Sequence, residues 1–211
     1  MAVNLKSTST ALIVVDVQND FLPAGALPVP HSDQIIAPVN VLIDAASTVV
    51  LTADWHPENH ESFACSHPGR RPFDTIEMPY GLQVLWPIHC VAGSHGASFA
   101  AELKTQSADL ILRKGTCSAR DSYSAFIEAD RKTATGLSGW LKERGITDVV
   151  VCGLAADYCV SWTALDAVRA GFRTTVVIDA VKAIAEESYE EAKRTWKSVG
   201  IETVTLSELN L

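Results

Sequence analysis

Asp148-Val149-Val150-Val151-Cys152-Gly153 runs directly into Leu154-Ala155-Ala156-Asp157-Tyr158-Cys159-Val160. The first six residues are apolar nearly throughout, as expected of a strand covered on both faces. Asp157 then offers a cap for a helix reaching Ala170, with Val160, Ala164 and Val168 on one face and Gly171 as its stop. A strand that passes straight into a helix is the first half of a βαβ unit. Five more short β-branched runs occur, at residues 11–17, 48–53, 109–113, 174–178 and 202–205. Helical patterns separate most of them. Residues 32–46 carry Ile35, Ile36, Val39 and Ile43; Leu137, Trp140 and Leu141 precede a stop at Gly145. Ala185, Tyr189, Ala192, Trp196 and Val199 form a stripe before Gly200, with Glu190 and Arg194 expected as an exposed i,i+4 pair. The alternation predicts one α/β domain over residues 1–211: a doubly wound, mostly parallel six-stranded sheet with helices on both faces.

One stretch breaks that rhythm. Residues 55–96 are rich in Pro, Gly, His and aromatic side chains and show no clean period. A loop of that length inside a compact domain is usually functional or disordered, and its Trp, Phe and His content points to function.

Composition narrows the classes of partner. Lys plus Arg number 17 and Asp plus Glu 25, a formal charge of −8, which repels phosphate backbones and argues against nucleic acid. No apolar run approaches the roughly 20 residues of a membrane span. The first apolar run, 11–15, ends in Asp16 and does not read as a signal peptide. Five cysteines, an odd count without a CxxC pair, fit reduced thiols and a cytoplasmic location. A homo-oligomer is compatible with all of this.

In open parallel sheets, ligands bind beyond the carboxyl ends of the strands. The strand ends here deliver Asp16, Asp54, Lys114 and, after a short turn, Cys159. A thiol at a helix N-terminus near a lysine is expected to shift towards thiolate, and the same N–H groups could hold an oxyanion. A lone cysteine is ordinarily a small core residue; Asp16 and Lys114 on the same rim turn the balance for Cys159. Cys65, Cys90, Cys117 and Cys152 keep the ordinary reading. Asp16, partly desolvated after an apolar strand, suits proton transfer from a thiol and then to a leaving amine. Asp54 and His56, at i and i+2 of an extended chain, point to one side. With His60 and His89 they make an oxygen and nitrogen set that suits zinc, iron or manganese. His31, His67 and His95 read as surface polar residues.

Together these segments resemble the nicotinamidase/pyrazinamidase branch of the isochorismatase-like cysteine hydrolases. The matching stretches are Val15-Asp16-Val17-Gln18-Asn19-Asp20-Phe21, Thr52-Ala53-Asp54-Trp55-His56-Pro57, Leu85-Trp86-Pro87-Ile88-His89-Cys90-Val91, Gly93-Ser94-His95-Gly96-Ala97, Lys114-Gly115, Asp121-Ser122-Tyr123-Ser124-Ala125-Phe126 and Val151 through Val160. The resemblance implies hydrolysis of nicotinamide through a cysteine thioester, with activity on pyrazinamide. It implies a catalytic triad of Asp16, Lys114 and Cys159, and an oxyanion hole from the Ala155 and Cys159 N–H groups after a cis peptide. It implies one divalent metal ion, Zn2+, Fe2+ or Mn2+, on Asp54, His56 and His89; His60 matches a position that is a ligand, direct or through water, in only some members. Phe21, Trp86, Tyr123 and Leu154 match positions lining the nicotinamide pocket. Ala156 departs from the Thr of many members. Metal-free isochorismatases lack the Asp-x-His and Trp-Pro-x-His pair present here. Two alternatives stay open at this point: a related metal-dependent hydrolase of another small amide, and a non-catalytic protein that binds a pyridine ligand.

Overall fold

The computed structural model describes residues 3–209. Its elements are β1 (Thr10–Val15), α1 (Ile36–Ala45), β2 (Val49–Asp54), β3 (Thr75–Met78), β4 (Gly81–Val84), β5 (Leu110–Lys114), α2 (Leu137–Glu143), β6 (Asp148–Leu154), α3 (Cys159–Arg169), β7 (Arg173–Lys182), α4 (Glu186–Ser198) and β8 (Glu202–Val204). Six strands form one sheet in the order β5-β2-β1-β6-β7-β8. Every neighbouring pair in it is parallel. The chain winds outward from β1 to β2 and β5, then returns to β6 on the other side of β1. The order therefore reverses between β1 and β6, which opens a crevice at their carboxyl ends.

The continuous apolar runs follow from burial on both faces. Leu12 and Val14 of β1 pack with Leu42 and Ile43 of α1, whereas Ala11, Ile13 and Val15 pack with Leu137 and Leu141 of α2 and with Val160 and Ala164 of α3. Each Val, Leu or Ile among them contributes about 1.5–3 kcal/mol on burial. Trp196 of α4 is wholly buried, and its Nε1 donates to Ser161 Oγ of α3 at 2.9 Å, tying the two helices. Strand β5, at the sheet edge, differs: its residues alternate between half-buried and exposed until Lys114, which is buried. Exposed Arg113 lies over the Trp55 ring, 3.9 Å from its centroid.

Three local expectations change. Residues 55–96 contain a two-stranded antiparallel hairpin, β3–β4, that turns at Pro79-Tyr80. Its strands have four residues each and are half exposed, so they leave little periodic signal. Asp157 does not cap α3: its carboxylate accepts from the N–H groups of Ile184 and Ala185 and from Ser188 Oγ, and so serves the start of α4. Glu190 pairs with Lys193 and Arg194 with Glu191, both at i,i+3 instead of the expected i,i+4 pair. The Leu154–Ala155 peptide is cis. Among the described residues no helix is long and apolar enough to cross a membrane.

Gly153 shows why β6 needs a glycine. Its φ is +112°, and a Cβ there would sit 2.1 Å from the Val15 carbonyl oxygen of the adjoining strand. Gly153→Ala should lower unfolding free energy by more than about 2 kcal/mol, measured as a shift of the urea midpoint. An unchanged midpoint would mean that β1 and β6 separate more easily than this contact allows.

Candidate active site

Asp16 follows β1 and is wholly buried, in the left-handed region at φ +50°. A non-glycine residue held there is typical of functional turns. Thr52, a polar residue inside apolar β2, donates its hydroxyl to Asp16 Oδ1 at 2.6 Å. Asp16 Oδ2 lies 2.8 Å from Lys114 Nζ but has no well-aligned hydrogen bond. Lys114 Nζ also donates to Asp54 Oδ1 at 2.5 Å, to the Ser122 carbonyl at 2.8 Å and to Cys159 Sγ at 3.3 Å. The atoms of Asp16, Asp54 and Cys159 that could act as ligands lie within 4.8 Å of one another.

Electrostatics sets the resting proton positions. Burial alone would discharge Lys114, but the Asp16 and Asp54 carboxylates outweigh it and hold the ammonium well above its usual range. Burial raises the Asp16 carboxyl, with Lys114 opposing. The Cys159 thiol differs from the expectation: burial pushes it well above the ordinary range, Lys114 lowers it, and Asp16 and Asp54 raise it again. Burial and the two carboxylates therefore oppose the pull of Lys114 towards thiolate. Cys159 is the first residue of α3, so its N–H has no partner within that helix.

A second group of side chains shares Asp54. His56 Nδ1 faces the Gly115 carbonyl at 2.9 Å and His89 Nδ1 the Pro87 carbonyl at 2.9 Å. A carbonyl only accepts, so both rings carry the proton on Nδ1 and present an Nε2 lone pair. Those lone pairs sit 3.8 and 3.9 Å from Asp54 Oδ2. Burial, then the neighbouring His89, lowers His56 to about 3, so it stays neutral. Two neutral imidazoles oriented by carbonyls and one carboxylate oxygen are a donor set that fits a divalent cation. Gly115 is part of the cradle: at φ +64°, a Cβ there would lie 2.4 Å from His56 Cε1. His60 is differently employed. Its Nδ1 accepts from the Ser62 N–H at 3.2 Å and meets Ser62 Oγ at 2.7 Å, while Nε2 donates to the Arg120 carbonyl at 3.0 Å. Neither nitrogen keeps a free lone pair for an ion.

A cleft opens over both groups, lined by Phe21, Trp86, Tyr123, Ala155 and Cys159 together with Asp54, His56 and His89. Trp86 Nε1 donates to the Tyr123 hydroxyl at 2.9 Å, and the Trp86 and Tyr158 rings meet edge to face with centroids 4.8 Å apart. Leu154 does not line this cleft; it is wholly buried in the core behind it. Residues the sequence reading had not assigned complete the site. Tyr158, Leu27, Ile184 and Asp121 join the cleft wall. Gln18 grips Asp54 by both backbone groups, accepting from its N–H and donating to its carbonyl, each at 2.8 Å. Isolated polar residues within or just after apolar strands, Thr52 and Gln18, were the available signal. Of the remaining cysteines, Cys152 and Cys90 are buried, Cys117 is half-buried and Cys65 exposed.

The chain belongs to the isochorismatase family: the isochorismatase domain model matches residues 10–208. Among curated relatives, it is 56% identical over 179 residues to the nicotinamidase of Acinetobacter baylyi, covering 85% of this chain and 84% of that one. Among solved structures, a nicotinamidase/pyrazinamidase of Acinetobacter baumanii superposes with a TM-score of 0.94 at 52% identity, covering 96% of this chain and 98% of that one. The pyrazinamidase of Pyrococcus horikoshii in complex with zinc gives 0.76 at 40% identity, covering 93% and 99% respectively.

Thr52 supplies a direct test of the Asp16 environment. Its hydrogen bond lowers the Asp16 pKa, so Thr52→Val should raise it. If the ionised Asp16 takes the thiol proton, the acid limb of the kcat/KM profile moves to higher pH in the variant, with the alkaline limb in place. A profile with the same acid limb would remove Asp16 as the group titrating there.

Proposed function

We propose that this chain hydrolyses nicotinamide to nicotinate and ammonia, with Cys159 as nucleophile, Asp16 as proton carrier and Lys114 as electrostatic anchor. Pyrazinamide, with a similar ring and the same carboxamide, is a second substrate. The observation that carries the proposal is one buried ammonium, Lys114, touching both Asp16 and Cys159 beside the Asp54–His56–His89 group. A protein that only binds a pyridine has no use for a thiol held in that way. Residues 55–96 act as the metal and substrate loop of a single hydrolase domain, and reduced thiols fit the cytoplasm.

Asp54, His56 and His89 would hold a divalent cation, Zn2+, Fe2+ or Mn2+, which supplies a Lewis-acid point for the ring nitrogen and fixes the carboxamide over the thiol. Phe21 and Trp86 enclose the ring. Asp16 takes the Cys159 proton as sulfur attacks the amide carbon, so no free thiolate has to exist at rest. The charge that develops on the amide oxygen is met by the N–H groups of Ala155 and Cys159. Asp16 then passes its proton to the amide nitrogen, the C–N bond breaks, ammonia leaves and a thioester remains. A water molecule attacks the thioester carbon, Asp16 takes one of its protons, and C–S cleavage releases nicotinic acid, which gives up its remaining proton to solvent as nicotinate. Proton return from Asp16 to sulfur restores the start. Lys114 stays charged throughout and stabilises the sulfur whenever it is anionic.

Cys159→Ala should lower kcat for ammonia release by at least about a thousandfold while nicotinate binding, followed calorimetrically, persists. Turnover above that level would eliminate the nucleophile assignment. Removal of metal by a chelator should abolish turnover, and Zn2+, Fe2+ or Mn2+ should restore it. A metal-free preparation with full activity would end the cation's part in the proposal.

A further inference from the structure

Asp121 is the one carboxylate of the cleft without a part in the chemistry above. It lines the cleft with Asp54, His56 and His89 and is only 3% exposed. Its Oδ1 accepts from the Ser122 N–H at 2.8 Å and its Oδ2 from Gln83 Nε2 at 2.7 Å. Both donors are neutral, and among the described residues no Lys or Arg forms an ion pair with it. A carboxylate offers about four acceptor positions, so the two bonds leave capacity unused. One oxygen of Asp121, one nitrogen of His56 and one of His60 lie within 4.8 Å of one another. His60 has no lone pair to offer there, because Ser62 and Arg120 occupy both its nitrogens. On that side of His56, Asp121 is therefore the acceptor that remains.

We propose that Asp121 is a positioning residue of the cation centre, taking hydrogen bonds from the hydration water of the ion that Asp54, His56 and His89 hold. It rests on the reading of those three residues as a cation site. The charges agree with it. Asp54 and Asp121 both line the cleft, and the nearby buried ammonium, Lys114, is paired with Asp54 and Asp16, so negative charge faces the cleft, matched in sign by a divalent ion. A carboxylate that anchors the outer water shell raises affinity and fixes the open coordination positions towards the substrate. Gln83 connects this anchor to the β3–β4 hairpin: its amide also reaches the Tyr123 hydroxyl at 3.0 Å. The hairpin is thus fastened to the same carboxylate that steadies the ion.

The test is competition for Zn2+ between the zinc-loaded protein and a chromogenic chelator. Wild-type protein should retain one ion per chain, and Asp121→Asn should bind it about 10–100-fold more weakly. Asp121→Glu should recover part of the loss. Circular dichroism and unfolding midpoints of the metal-free proteins separate this effect from a general loss of fold. Equal affinity for wild type and Asp121→Asn would overturn the assignment of Asp121 and leave the cation site intact. Failure of the wild type to retain zinc would overturn the cation site itself, and this inference with it. If Asp121→Asn does not fold, Gln83→Leu, which removes the donor to Oδ2, should weaken zinc several-fold, and unchanged affinity in that variant would overturn the proposal.

Discussion

A single wholly buried ammonium organises this protein's crevice. Lys114 comes from an edge strand, yet its nitrogen reaches Asp16 from β1, Asp54 from β2 and Cys159 from α3. An ion of that size is costly to remove from water, and only paired, well-hydrogen-bonded partners compensate. Two carboxylates and a backbone carbonyl supply that compensation. The reverse also holds: without the ammonium, two carboxylates would stand buried side by side. The arrangement is stable only when complete, which is why four separate strand ends must arrive in register.

Asp54 divides its two oxygens between neighbouring tasks. One accepts from Lys114 and the other faces the imidazoles of His56 and His89. A cation on that second oxygen would draw negative charge away from the sulfur's surroundings, because Asp54 is among the groups that raise the Cys159 thiol. The lysine–thiol cluster and the histidine group are therefore coupled through one carboxylate.

Much of this could be read from residue order. Apolar runs ending in Asp16, Asp54 and Lys114, and a strand that turns into a helix at Cys159, place four chemical groups on one rim by topology alone. What escaped the reading depends on three-dimensional surroundings. The direction of the Cys159 shift is decided by burial, which a helix N-terminus and a nearby lysine do not reveal. Asp157 looked like a cap for the helix beside it because its true partners lie 27 to 31 positions away. His60 stands in the right segment, but Ser62 and Arg120 take up its nitrogens. Leu154 adjoins the turn before α3 in sequence and still packs into the core. The cis bond and the oxyanion donors came from resemblance, since no periodicity encodes them.

The stacking of Arg113 on Trp55 gains meaning from its neighbours. Trp55 follows Asp54 at the end of β2, and Arg113 immediately precedes Lys114 in the adjoining β5, so the stack clasps the two chains beside the residues that enter the crevice. Edge strands are the parts of a sheet most prone to slide, and a slide of one residue exchanges the two faces. Here it would bring a guanidinium inward and carry the ammonium out to solvent. The aromatic clasp thus acts as a ratchet stop on the outside of the molecule, and holds the alignment on which the interior depends.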